Sequence, residues 1–350
     1  MDLNTIWFLL VGVLFAGYAV LDGFDLGVGA LSLFARSGEE RDLHVAAIAP
    51  VWDGNEVWLL TGGGALFAAF PVVYATVFSG FYLALMLLLV ALIARAVSLE
   101  FRGLVASPAW TKAWDWAFGL GSLLPAILFG VAFGNVLRGV PIGPAPGYAW
   151  QGSFLGLLNP YAVLIGLVSC AFFIMHGAIY LRMKTGGELA DRMGKIALGA
   201  FAAFLALYAA ATAATIVVSP FLFQKTSNPL FWILTALLVA SIAATPLFTR
   251  AGRTGLAFVS SSAVVVSMIL VAALSAYPAL VPSSIALENS LTIYNASSTP
   301  LTLATMLVIA LVGVPLMLGY TTFVYRVFKG KARPGGGYGV AGARSADAPP

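Results

Sequence analysis

Asp22-Gly23-Phe24-Asp25-Leu26-Gly27-Val28-Gly29 and, a short loop later, Ala49-Pro50-Val51-Trp52-Asp53-Gly54-Asn55-Glu56-Val57-Trp58 place four carboxylates inside runs otherwise suited to lipid. An ionised side chain at the centre of a bilayer costs about 2.5–3.5 kcal/mol on insertion scales. Asp22 and Asp25 are three residues apart and share a helix face, and Asp53 and Glu56 repeat that spacing. Gly23 and Gly27, four apart, allow a second helix to approach closely. The two stretches therefore read as polar seams between packed membrane helices, and the rest of the chain should say where those seams lie.

The 350-residue chain is 61% hydrophobic and 9% charged. Soluble domains carry about 25% charged residues, so the water-soluble classes are excluded and an all-α integral membrane protein is expected. The basic balance is a matter of loop charges and is no sign of nucleic-acid binding. The single cysteine, Cys170, lies in an apolar run and excludes an intrachain disulfide. Two histidines, His44 in a connecting loop and His176 in mid-span, leave little for metal or haem ligation, and no metal site is expected. His176 reads better as a polar contact between helices. No Lys or Arg precedes the first apolar run, so no cleavable signal peptide is expected.

Apolar runs of spanning length fall at about 6–34, 50–70, 77–97, 114–136, 161–181, 196–218, 229–248, 256–276 and 301–324. Nine transmembrane helices place all but Arg138 and Lys225 of the 18 Lys and Arg on one side. The positive-inside rule makes that side cytoplasmic, with the N-terminus outside and the C-terminus in the cytoplasm. Residues 1–328 read as one polytopic membrane domain, and the Gly/Pro/Ala-rich residues 329–350 as a disordered cytoplasmic tail. A shift of 154 residues lays Leu21-Asp22-Gly23 on Met175-His176-Gly177. Two four-helix bundles in parallel repeat, plus one extra helix, are the architecture this suggests. Gly62-Gly63-Gly64 serve helix packing and not phosphate binding, because no Lys-Ser/Thr follows them. The tryptophans mostly fit an interfacial belt.

At 1.5 Å per residue, Asp22 lies about 24 Å along the first span, in its cytoplasmic half. Asp53 and Glu56 open the second span from that side, Arg95 and Glu100 end the third, and Asp115 opens the fourth. One deep arginine cannot neutralise so many acids in a low-dielectric site, so some must hold protons, meet water or bind a cation. Buried carboxylates of that kind suit a proton path. A blander reading stands beside it: Asp53 and Glu56 as acids favoured at a helix start, and Arg95 and Glu100 as an ion pair at the membrane edge.

The two opening stretches resemble subunit II of the bacterial cytochrome bd-type quinol oxidases. So do Gly64-Ala65-Leu66-Phe67-Ala68-Ala69-Phe70-Pro71, Trp114-Asp115-Trp116 and Gly130-Val131-Ala132-Phe133-Gly134-Asn135. Pro282-Ser283-Ser284, Asn289-Ser290-Leu291-Thr292 and Leu301-Thr302-Leu303 extend the resemblance to about residue 328. The resemblance implies a complex in the bacterial cytoplasmic (inner) membrane that oxidises ubiquinol or menaquinol and reduces dioxygen to water with protons from the cytoplasm. It implies two haem b and one haem d, held mainly by a homologous subunit I, and a scaffold and proton path on this chain. Further expected partners are membrane lipid, a bound ubiquinone or menaquinone, and a small single-span accessory subunit.

Residue by residue, the resemblance makes Asp53 the acid at the cytoplasmic mouth of the path, with Asp25, Arg95 and Asp115 near it. Asp22 and Glu100 match with less defined roles, and Glu56 has the weakest claim. Proton-path candidates are thus Asp53, Asp25, Asp22, Glu56 and Asp115, and charge partners or quinone contacts are Arg95, Glu100 and Trp52. The connection at 219–228 is shorter than in some relatives. Two alternatives use the same residues: a proton- or sodium-coupled secondary transporter, and a purely structural partner of subunit I. A transporter would favour inverted repeats and broken helices at the midplane, whereas the repeat here is parallel and the acids lie off-centre.

Overall fold

The computed structural model describes residues 1–333. Its first helix, α1 (Leu3–Ser32), starts at an Asp2 cap whose carboxylate accepts from the Thr5 amide at 2.7 Å. From Asp22 to Ser32 every residue of α1 is buried. α1 packs against α3 (Trp52–Ala69), α6 (Pro108–Arg138), α7 (Pro160–Lys184) and α10 (Thr254–Ala276). The glycines explain how one helix serves so many neighbours. A Cβ on Gly27 would collide with the Phe173 carbonyl, and one on Gly177 would collide with the Gly27 backbone. α1 and α7 therefore meet backbone to backbone, as small residues permit in membrane proteins.

The loop expected between the first two spans contains a helix, α2 (Gly38–Ile48). Ser37 caps it by accepting from the Glu40 amide at 3.1 Å, and Glu39 and Glu40 in the first turn complement the helix dipole. Hydropathy could not find α2, because it is too short and too polar to span. His44 is corrected accordingly: it sits on α2, fully buried, and not in an open loop.

The second span is also more complicated than a single apolar run. α3 ends at Phe70, where α4 (Pro71–Gly80) departs at 118°. Pro71 has no amide proton and forces Phe70 out of helical geometry, to φ −133°, ψ 64°. A second break at Phe81 leads into α5 (Tyr82–Phe101). Among the described residues, eight helices are each long and apolar enough to cross a membrane, and the α3–α4 pair makes nine if counted as one bent span.

The remaining helices are α8 (Gly187–Val218), α9 (Pro229–Arg250) and α11 (Pro300–Val327). α5 packs on α6, α6 on α7, α7 on α8, and α9 on α10. At the end of the molecule carrying Asp2, strand β1 (Ala279–Val281) pairs antiparallel with β2 (Leu291–Thr292). The loop after α6 joins this cap through a bridge between Val140 and Ser283. Trp7 ties α11 to α1 there, its indole donating to the Leu303 carbonyl at 2.9 Å. At the opposite end Lys184 donates to the carbonyls of Phe328 and Gly330, and the Ala332 amide donates to the Lys184 carbonyl. Residues 334–350 of the expected tail lie outside the described residues.

Candidate functional site

Arg95 is the largest fully buried side chain of the described residues. It projects from α5 toward α1 with 1% of its side chain exposed, and meets Asp22 with both guanidinium nitrogens, at 2.9 Å from Nη1 and 2.5 Å from Nη2. This fork-to-carboxylate geometry is the strongest form of ion pair. Nη1 also donates to Glu56 Oε2 of α3 at 3.3 Å, and Nη2 lies 3.9 Å from Asp25 Oδ2. Three carboxylates on two helices thus surround one cation. Asp22 and Asp25 are fully buried, while the Glu56 side chain keeps 22% exposure. If all three were ionised the cluster would carry a net charge of about −2 in a low-dielectric surrounding.

Hydrogen bonds organise the far side of the cluster. Asn55 Nδ2 donates to Asp25 Oδ2 at 2.7 Å and to the Leu21 carbonyl at 3.3 Å. Tyr325 of α11 donates to Asn55 Oδ1 at 2.9 Å. Asp25 Oδ1 and Arg95 Nε are buried without a protein partner, as are the Tyr18 hydroxyl and the Trp58 indole nitrogen nearby on α1 and α3. Buried polar atoms of this kind normally bond to something, so the cluster has unused capacity for protons or water.

A second ionic cluster lies at the same end of the molecule, closer to its surface. Arg102, just past α5, donates to Asp115 of α6 at 2.6 Å and to Asp42 of α2 at 2.6 Å. Arg41 donates to the other Asp115 oxygen at 3.2 Å. Two arginines meet two aspartates, and the charges balance. Beside them Glu40 pairs with Arg192, and Arg36 with Glu188 at 3.2 Å, linking α2 and its approach to α8. Burial first, and the neighbouring Arg41 cation second, push His44 down to about 4. Its Nδ1 lies 2.8 Å from the Glu40 carbonyl and donates to it, while Nε2 is buried without a partner.

The expected residues therefore fall into three places. Asp22, Asp25, Glu56 and Arg95 converge in the deep cluster, and Asp115 belongs to the shallow one. Asp53 is exposed at the start of α3, one turn before Glu56; Glu100 is exposed near the end of α5, and Trp52 is half-buried. Arg95 turns inward to Asp22 and makes no pair with Glu100 among the described residues. His176 is an interhelix contact: Nδ1 lies 2.8 Å from Ser261 Oγ and Nε2 3.0 Å from the Val20 carbonyl. Sequence reasoning missed Asn55 and Tyr325. Asn55 could have been found, being a polar side chain between two acids in a membrane run. Tyr325 gave no such signal, since a tyrosine near the end of a span is ordinary.

The model of the family described as cytochrome bd terminal oxidase subunit II matches residues 3–328. Cytochrome bd-I ubiquinol oxidase subunit 2 of Escherichia coli K12 is 40% identical over 92% of this chain and 93% of its own. A probable cytochrome oxidase subunit 2 of Haemophilus influenzae is 39% identical over 94% and 95%. Cytochrome bd ubiquinol oxidase subunit 2 of Bacillus subtilis is 35% identical over 94% and 96%. Among solved structures, a chain of the bd oxidase from Geobacillus thermodenitrificans superposes with a TM-score of 0.73 at 19% identity, covering 94% of this chain and 99% of that one. The chain belongs to the cytochrome bd terminal oxidase subunit II family.

Proposed function

We propose that this chain is the second subunit of a quinol:oxygen oxidoreductase of the bacterial cytoplasmic membrane, and that its deep carboxylate cluster carries protons from the cytoplasm toward the oxygen-reducing site on a haem-bearing subunit I. Family membership supports the oxidase part and decides against the transporter alternative. The observation that carries the proton path is the Arg95 cluster, where three acids face one buried cation. In this reading the N-terminus is outside, and the end with α2 and the shallow ion pairs is cytoplasmic. Residues 1–328 form the membrane domain and 329–350 its cytoplasmic tail. α1, α3–α4, α5 and α6 make one bundle, α7 to α10 a second, and α11 packs outside both. This grouping is supported by the pairing of α5 with α6 and of α9 with α10.

The complex of this family carries haem, which supplies the electron and oxygen chemistry. The donors of this chain do not fit a haem: both nitrogens of His176 are engaged within the helix bundle, and His44 is closed in against its own helix. Two haem b and haem d therefore belong on subunit I in this reading. The work left to this chain is proton handling. Asp53 gathers protons at the exposed start of α3, and Glu56, one turn on and partly exposed, passes them inward. Arg95 stabilises whichever of Asp22 and Asp25 is ionised at a given moment. Ubiquinol or menaquinol is oxidised by the complex, and a structural quinone, lipid and a small accessory subunit remain compatible partners of the exposed faces.

Purification of the tagged chain with a visible spectrum tests the first part. A larger haem-bearing membrane subunit should co-purify with quinol-dependent oxygen uptake; its consistent absence would remove the basis of the reading. Asp53→Asn tests the path. Turnover should slow with the haem spectrum retained. Full turnover and full proton-motive force would sink Asp53 as a required relay, and loss of haem would favour a structural role.

A further inference from the structure

We infer that Tyr325 of the last helix is a positioning residue for Asp25, acting through Asn55, and that it makes Asp25 Oδ1 the oxygen that takes and releases the proton. The inference rests on the proton-path reading above and concerns a residue that reading does not use.

The geometry runs through three helices. Tyr325 donates its hydroxyl proton to Asn55 Oδ1 at 2.9 Å. A tyrosine hydroxyl can donate or accept, so this contact anchors the carbonyl end of the Asn55 amide, whose orientation is set by its partners on α1. The NH2 group must then face the two acceptors on α1, Asp25 Oδ2 at 2.7 Å and the Leu21 carbonyl at 3.3 Å. Asp25 Oδ2 is thereby committed as an acceptor. Oδ1 is left buried with no protein partner. A proton arriving from the cytoplasmic side adds to Oδ1 and forms a neutral carboxyl; its departure restores the carboxylate. Asn55 stays bonded to Oδ2 throughout, so the carboxyl does not rotate between uptake and release.

A second feature suits Tyr325 to this role. α11 contributes a single fully buried side chain, Leu303, at its far end, and its other half meets the core through the partly buried Val324 and Tyr325. What holds the Tyr325 end is a clasp just beyond it. Lys184 donates to the Phe328 and Gly330 carbonyls, the Ala332 amide donates back to the Lys184 carbonyl, and Lys331 donates to the Thr185 carbonyl. A helix whose residues beyond Leu303 are at most partly buried is thus pinned where Tyr325 reaches the carboxylate cluster.

The test is infrared difference spectroscopy of the purified oxidase complex, with turnover and haem content measured alongside. The carboxyl C=O band that disappears in Asp25→Asn reports Asp25. In Tyr325→Phe the Asn55 amide loses the partner that anchors its carbonyl end, so its bond to the Asp25 carbonyl oxygen weakens and the band should move to higher wavenumber. Turnover should fall about fivefold, the size of one lost hydrogen bond, with haem content and KM for quinol unchanged. Lys184→Gln should move the band the same way by less. Asn55→Leu, which removes the amide, should reproduce the full band shift. An Asp25 band unmoved in Tyr325→Phe, or moved in Lys184→Gln but not in Tyr325→Phe, would overturn the inference while leaving the path intact. A wild-type spectrum with no Asp25-dependent band would overturn the assignment of Oδ1. Full turnover in Asp25→Asn would instead strike the proton-path reading itself.

Discussion

Two ionic clusters sit at one end of this molecule, and they differ in arithmetic more than in chemistry. In the shallow cluster Arg41 and Arg102 meet Asp42 and Asp115, charge for charge, at partly exposed positions. In the deep cluster Arg95 alone meets Asp22, Asp25 and Glu56; Arg95 and both aspartates are shut off from water, and Glu56 is partly exposed. A balanced set near water gains modestly from pairing and holds its protons fixed. An unbalanced set in a low dielectric cannot keep every acid ionised, so its protonation becomes a variable. The first cluster ties α2 to α5 and α6; the second is the one proposed above to move protons.

The most forceful way to break this comparison is to remove Arg95. Arg95→Met leaves Asp22 and Asp25 buried without their cation, and breaking a buried pair typically costs about 3–5 kcal/mol. The complex should lose assembly, read as loss of co-purifying haem. Asp22→Asn in the same chain should restore assembly in part, because it removes the charge left unpaired. If the single variant assembles normally, Arg95 is not neutralising the cluster.

A paired experiment sharpens the contrast. Asp25→Asn preserves shape and hydrogen bonding but cannot carry a proton, and turnover should drop about a hundredfold, the lower range for a positioned acid–base group, with haem retained. Asp115→Asn weakens bonds to two arginines and should cost about 2 kcal/mol of stability, as for hydrogen bonds to charged groups, with turnover per haem nearly unchanged. The reverse pattern, a silent Asp25→Asn and a turnover-dead Asp115→Asn, would exchange the roles of the two clusters.

The deep cluster was substantially legible in the chain. Asp22 and Asp25 were readable because a carboxylate in an apolar run is conspicuous, and their shared face follows from helical spacing. Arg95 was readable as the only cation deep enough to meet them. What could not be read was how far each side chain reaches in three dimensions. Asp115 also sits among apolar residues, yet Arg41 on α2 and Arg102 just past α5 draw it into the shallow cluster. Asp53 and Glu56 share a face by spacing, but α3 turns only Glu56 far enough inward to meet Arg95. The span count was likewise legible except where Pro71 breaks the chain, since hydropathy averages over a bend. α2 was invisible for a related reason: its signals are caps and dipole charges, which a search for long apolar runs ignores.

The smallest expected effect concerns the seam between the shallow cluster and the bundle, at His44. Burial and the Arg41 cation hold its ring down at about 4, against about 6.5 for a free histidine. Between those values the unfolded chain binds a proton that the folded chain refuses. Stability therefore rises with pH across this window, is complete above about 6.5, and is lost progressively as pH falls toward 4. At pH 5.5 the contribution lost is about 1 kcal/mol, one pH unit below the free value. His44→Gln removes the titration while keeping a side-chain donor for the Glu40 carbonyl. The thermal midpoint of the complex should fall less between pH 7.5 and 5.5 in this variant than in the parent. Parallel losses in the two proteins would show that His44 is not what makes this end of the molecule acid-sensitive. A difference confined to the variant, together with an unchanged response in Asp25→Asn, would place the acid sensitivity at the shallow cluster and leave the deep one free to titrate during turnover without unfolding the chain around it.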